Sequence, residues 1–141
     1  MTARSKARKQ ALDILFESDI RSISPRDILT ARLVVEEGPD ARPIREYAQT
    51  LVEGVVDHRR KIDELISTYA QGWDMDRLPT VDRNILRLAI FEILWVSDLP
   101  DAVAIDEALN LARILSTDES AGYIHGVLGR ISSIKGELAL Q

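Results

Sequence analysis

The chain has 141 residues, a net charge of −5, no cysteine and two histidines, His58 and His125. That length predicts one domain with a sizeable core of its own, and the composition argues against disulfides, thiolate or His-rich metal sites and a cysteine nucleophile. No apolar run reaches the roughly 20 residues of a membrane span, and the basic N-terminus lacks the apolar segment of a secretory signal, so a soluble cytoplasmic protein is expected.

Helical periodicity runs through almost the whole sequence. The spacing predicts a first helix over about Thr2 to Asp19, with Leu12, Leu15 and Phe16 as its apolar stripe and Ala11 at the edge. Its opening is basic: Arg4, Lys6, Arg8 and Lys9 put +4 on residues 1–10, leaving −9 on the other 131 residues (14 basic, 23 acidic). Such asymmetry points to a basic arm that meets a polyanion, with a solvated helix face as the even alternative. Arg4 and Arg8 continue the stripe of Ala11, Leu12 and Leu15. Burying them there would be costly without partners, so the first turns are expected to overhang the bundle and leave both arginines free for phosphates.

Ser24-Pro25-Arg26-Asp27 reads as an N-cap, a proline at N1 and an acid at N3, opening a second helix that ends before Gly38-Pro39. Asp40 to Pro43 starts a third, carrying Ile44, Tyr47, Ala48, Leu51, Val52 and Val55. Ile62, Leu65, Ile66 and Tyr69 belong to its continuation or to a fourth, which stops at Gly72. His58 lies in a second basic cluster with Arg59, Arg60 and Lys61, read as a solvated face or loop. After a connector from Trp73 to Leu78, Pro79-Thr80 opens the most apolar helix; between Leu88 and Val96 its only charge is Glu92, which places it at the centre of a bundle. Asp98-Leu99-Pro100 ends it. Val103 to Leu115 forms another helix, with Ala104, Ile105, Ala108, Leu109, Ala112 and Leu115 on one face. Ser116 to Glu119 caps a last helix bearing Ile124, Val127, Leu128, Ile131 and Ile134. No segment alternates with period two. The expected fold is all-α, about seven helices in two packed helical subdomains, approximately 1–72 and 79–141.

No catalytic constellation emerges: the sequence has no phosphate loop, GxSxG, HExxH or CxxC motif. Asp106-Glu107 and Asp118-Glu119 are read as acids serving helix dipoles, and His125, among apolar residues, as a packing or capping side chain. The chain reads as a binding protein without a cofactor, not an enzyme.

Four segments carry a family resemblance. RSKARKQALDILF at 4–16 resembles the arginine-rich RxxARxxALxxLY opening of NusB proteins. VDRNILRLAIFEIL at 81–94 is similar to the family's VERxILRLAxYEL helix. Asp98 to Ala108 resembles DVPxxVAINEAVELAK, and Asp118 to Leu128 resembles xDSxxFVNGVL. The segments occur in family order and spacing over nearly the whole chain. The resemblance implies a NusB-like all-α fold that binds boxA-type single-stranded RNA of rRNA operons. It also implies a heterodimer with the ribosomal protein NusE and a place in the antitermination complex on RNA polymerase. Members are monomers or homodimers, and the sequence leaves that choice open.

Carried over residue by residue, the RNA-contacting opening falls on Arg4, Lys6, Arg8 and Lys9. Glu119 stands where most members have aspartate, Tyr123 is a candidate for stacking on a base or for packing, and Tyr69 is a further RNA candidate. The NusE-facing positions fall on Phe16, usually tyrosine, and Asp82, usually glutamate. Ser5 and His125 replace a frequent arginine and an asparagine. Three other readings compete. A helical adaptor that binds no nucleic acid would show a flat salt dependence where an RNA binder shows a steep one. An rRNA methyltransferase fragment would need a separate α/β domain. A helix-turn-helix regulator would need a more polar recognition helix than 81–96.

Overall fold

A computed structural model describes residues 2–34, 38, 43–70, 72 and 77–138. Seven α-helices account for most of them: α1 Ala3–Arg21, α2 Pro25–Val34, α3 Glu46–Asp57, α4 Arg59–Tyr69, α5 Thr80–Trp95, α6 Asp101–Leu115 and α7 Asp118–Ile134, followed by a 3-10 turn at Lys135–Glu137. No strand occurs among the described residues. The expected end of the second helix at Gly38-Pro39, the start of the third at Asp40 and most of the 73–78 connector fall largely outside them.

Local chemistry sets the helix ends. Thr2 caps α1 by accepting a hydrogen bond from the Ser5 amide, and Thr117 does the same for α7 through Ser120. Pro25 takes the first position of α2, where its missing N–H costs nothing. α1 runs two residues beyond Asp19 and stops at Ser22, whose φ of 55° is left-handed and lets its amide reach the Ser18 carbonyl. α3 and α4 are separate helices that bend apart at His58. There the imidazole stacks on Trp95 at 3.9 Å between ring centres, so His58 is a hinge-packing residue rather than part of a solvated basic face.

α5 is the axis of the molecule. Every residue from Asn84 to Ile93 is buried, and α1, α3, α4, α6 and α7 all pack against it. This matches the all-round apolarity of its sequence. Side-chain links fix the directions. Arg8 meets Glu92, and Asp19 meets Asn84 and Arg87, so α1 runs antiparallel to α5. Ser120 meets Asp82 and Lys135 meets the Ile93 carbonyl, so α7 runs alongside α5 in the same sense. One contiguous core draws on both halves of the chain. α6 begins at Asp101, two residues before the expected start. Leu111 is buried in place of Leu115, which is 40% exposed, because the alanines at 104, 108 and 112 set the packed face.

At Gly54 the backbone of α3 lies directly against the Phe91 ring of α5. A Cβ there would lie 2.1 Å from the Phe91 ring, and Phe91 packs beside the stacked His58–Trp95 pair, which limits its freedom to yield. Gly54→Ala is therefore expected to destabilise the protein by about 1–3 kcal/mol through overpacking, despite alanine's better helix propensity. Urea unfolding measures this directly, and a stabilised variant would show that the helices can separate.

Candidate nucleic-acid interface

The solvent face of α1 is graded along its length. Lys6, Lys9, Asp13, Phe16 and Ile20 follow one another at spacings of three and four residues, and all are exposed. The first part of the stripe is cationic and the last part apolar. Neither Lys6 nor Lys9 has an acid within ion-pair distance among the described residues. Gln10 widens the cationic end: its amide donates to the Pro43 carbonyl at 3.0 Å and its carbonyl accepts from the Arg45 amide at 3.0 Å. This places exposed Arg45 alongside α1, a cation that sequence spacing did not reveal because Gln10 recruits it across 35 residues.

The two arginines of the opening behave differently from the lysines. Arg8 does not overhang the bundle. Its side chain is 4% exposed, and its Nε donates to both carboxylate oxygens of Glu92 at 2.9 and 3.0 Å. Glu107 lies 3.5 Å from its guanidinium, and the Tyr47 hydroxyl donates to Glu92 from the other side. Burial works against the charge on Arg8, but hydrogen bonding to Glu92 and the fields of Glu92 and Glu107 outweigh it and hold its pKa above the ordinary value. Arg8 is thus a structural ion-pair residue; the partner that makes its burial tolerable is Glu92, the one charge between Leu88 and Val96. The Tyr47 phenol, buried and donating to Glu92, is pushed well above its usual range. Arg4 lies between these extremes. It is 41% exposed, pairs with Asp98 at 3.2 Å and rests 4.4 Å over the Tyr47 ring. Ser5, at the frequent arginine position, donates to Glu107 at 2.8 Å.

The remaining candidates lie at the opposite end of α5. Glu119 is exposed in the first turn of α7, beside Ser120, whose hydroxyl donates to Asp82 at 2.7 Å. The ten residues between Asp82 and Glu92 amount to about 15 Å of helix, so Glu119 is well removed from Lys6 and Arg4. Asp82 itself is 2% exposed and faces α7, while Phe16 is 40% exposed. The other carboxylate oxygen of Asp82 has no hydrogen-bond partner among the described residues. Tyr69 and Tyr123 do come together. Both are half-buried and line a groove of about 580 Å³ between the end of α4 and α7. His125 is exposed, and so does not serve as a packing residue.

A third cluster joins α1, α4 and α5. Arg87 reaches Asp19 at 2.8 Å and both oxygens of Asp63 at 2.9 and 3.2 Å, while Arg59, Arg83 and Asn84 also converge on Asp19. Arg59, expected on a solvated face, is tied in here. Among the described residues no group of three or more His, Asp or Glu side chains could hold a metal ion, and no helix is long and apolar enough to cross a membrane.

A central apolar helix packed against five of the six others, with a cationic and apolar outer stripe, defines a helical bundle whose outer face is built for binding. The chain belongs to the NusB family, whose pattern matches residues 5–133. This is a family of transcription antitermination factors rather than enzymes. The chain is 47% identical to the transcription antitermination protein NusB of Kineococcus radiotolerans over 99% of both sequences. Its fold is similar to that of T. maritima NusB, with a TM-score of 0.80, 33% identity, and coverage of 97% of this chain and 99% of the other. It is also similar to the structure of antitermination factors NusB and NusE in complex with dsRNA, with a TM-score of 0.77, 26% identity, and coverage of 92% and 96%.

Proposed function

We propose that the chain is a cytoplasmic RNA-binding antitermination factor that takes boxA-type RNA of rRNA operons together with NusE, within the antitermination complex on RNA polymerase. The observation that carries this reading is the graded stripe on α1. Lys6 and Lys9, exposed and outside ion-pair reach of any described acid, offer charge to a phosphate backbone. Arg45 and the half-exposed Arg4 flank them. Phe16 and Ile20, 40% and 61% exposed, offer apolar area to a protein partner on the same helix face. The solved relative with both NusE and RNA bound supports a surface that serves two partners at once. In this reading 1–72 and 79–141 are two helical subdomains on one core. Backbone grip comes from α1, while base selectivity comes from Glu119, Tyr69 and Tyr123, since phosphate contacts carry no sequence information. Arg8 holds the helix in place and does not touch RNA. Asp82 supports the NusE-facing end from beneath, through Ser120.

Charge reversal tests this. Lys6→Glu with Lys9→Glu is expected to weaken RNA binding by about 100-fold at moderate salt and to lower the slope of log K against log salt by about 2. Helicity and the urea midpoint should stay unchanged, because both side chains are in solvent. Fluorescence anisotropy across a salt series measures it. Undiminished affinity would remove α1 from the interface, and a flat salt response in the parent chain would favour a purely protein-binding adaptor, the reading that Phe16 and Ile20 alone support.

A further inference from the structure

Arg45 stands where the stability of the fold asks for a different residue. It occupies the N-cap position of α3, in extended backbone, and its side chain caps nothing. Serine, threonine, aspartate or asparagine there would accept a hydrogen bond from one of the first amides of the helix. A guanidinium accepts none, and its charge opposes the positive end of the helix dipole. The side chain is exposed and has no ion-pair or hydrogen-bond partner among the described residues, the adjoining Glu46 included. The fold nevertheless fixes where Arg45 lies. Gln10, half-buried on α1, uses both ends of its amide on this one segment: Nε2 donates to the Pro43 carbonyl and Oε1 accepts from the Arg45 amide, each at 3.0 Å.

Gln10 adjoins Lys9 and stands one turn from Lys6, so its bond to the Arg45 backbone sets Arg45 beside the two lysines. Along α1 itself the positive charge stops at Asp13, an exposed carboxylate one turn beyond Lys9 that lies in the fields of Lys9 and Arg32. Phe16 and Ile20 follow it. A polyanion held by Lys6 and Lys9 is therefore repelled by Asp13 if it follows the helix axis. It is attracted by Arg45 if it crosses Gln10 toward α3. Three cations on two elements, none paired with an acid among the described residues, suit the repeating phosphates of an extended single strand. The guanidinium adds two-pronged hydrogen bonding to a phosphate, which the lysines lack.

We infer that Arg45 is a phosphate-binding residue that carries the RNA backbone off α1 and across to the start of α3, and that Gln10 is its positioning residue. The inference rests on the RNA-binding reading above and gives the strand a direction. Arg45 touches the RNA; Gln10 acts only through Arg45.

The test uses the full chain, with and without purified NusE, and a short boxA-type single-stranded RNA in a salt series. Arg45→Ser supplies the missing cap and removes the cation. It is expected to hold or raise the melting temperature while weakening RNA binding about 5-fold and lowering the slope of log K against log salt by about 1. Arg45→Lys should restore most of the slope. Gln10→Met should weaken binding about 3-fold in the parent and change nothing further in the Arg45→Ser background, as expected of two residues that act as one unit. Affinity and slope untouched in Arg45→Ser, while charge reversal at Lys6 and Lys9 still weakens binding, overturn the inference and leave the RNA-binding reading standing. A lowered melting temperature in Arg45→Ser overturns it by assigning Arg45 to the fold. A Gln10→Met effect of equal size in both backgrounds overturns the positioning role. Loss of NusE capture with RNA affinity intact overturns the inference in favour of a protein contact. A parent chain that binds no RNA under either condition overturns the function and the inference together.

Discussion

Replacing Arg8 with alanine is expected to destabilise the protein by about 3–5 kcal/mol, among the largest effects of any surface-helix substitution. The reason is the Glu92 carboxylate, 1% exposed, which would keep its charge in the core with only the Tyr47 hydroxyl for company. Glu92→Ala should cost somewhat less, because it leaves Arg8 buried with Glu107 at 3.5 Å as its remaining carboxylate. Replacing both at once, Arg8→Met with Glu92→Leu, removes the desolvation penalty along with the attraction. That pair should recover all but about 1 kcal/mol, the remainder reflecting Tyr47's lost acceptor. Urea unfolding of the parent and the three variants measures this, and a double variant as unstable as either single one would contradict it. RNA affinity offers an independent check. With Arg8 buried, the folded double variant should bind RNA within a factor of about 3 of the parent, because no phosphate contact is lost. A loss as large as that from reversing Lys6 and Lys9 would return Arg8 to the RNA surface.

The second large effect concerns the Asp19 cluster and pH. Arg87→Ala leaves Asp19 and Asp63 short of their best hydrogen-bonded cation and should cost about 3 kcal/mol. Burial by itself would raise the Asp19 pKa, but the Asn84 hydrogen bond and the charges of Arg87 and Arg83 outweigh it, and the folded-state value lies below the ordinary one. A carboxylate with a depressed folded pKa contributes stability that is fully present above its unfolded pKa of about 3.9 and is lost as the pH falls through the folded value. The arginines stay charged throughout, so the loss is confined to acid, below about pH 4. Urea midpoints recorded from neutral to strongly acidic pH should fall there, and Asp19→Asn should flatten that acid limb while lowering stability at neutral pH. An acid limb identical in Asp19→Asn would assign the effect to other carboxylates.

The two clusters show what was legible and why. Arg8 interrupts a stripe that otherwise packs inward, and Glu92 is the one charge in a run of apolar residues. Each looks misplaced by itself, and the costliness of a buried charge led to an overhanging Arg8. The same cost, applied to both at once, argues for pairing, since a buried charge is tolerated when its partner is also buried. The signal was therefore present as two anomalies of opposite sign, 84 residues apart. The groove left a fainter trace, because Tyr69 reaches it from another helix.

By itself the sequence determined the helices, their caps, the central place of α5 and the family, because these depend on residues close in the chain: an apolar period, a threonine three residues before a serine amide, four motifs in order. It also determined that α1 carries a cationic opening. Only the tertiary structure decided which cations remain available. Lys6 and Lys9 are left in solvent, Arg45 is brought to them by Gln10, and Arg8 is drawn into the core by Glu92. That decision turns on the rotation of α1 against α5 and on partners tens of residues distant, and the energy of a charge depends on its neighbours in space rather than in sequence.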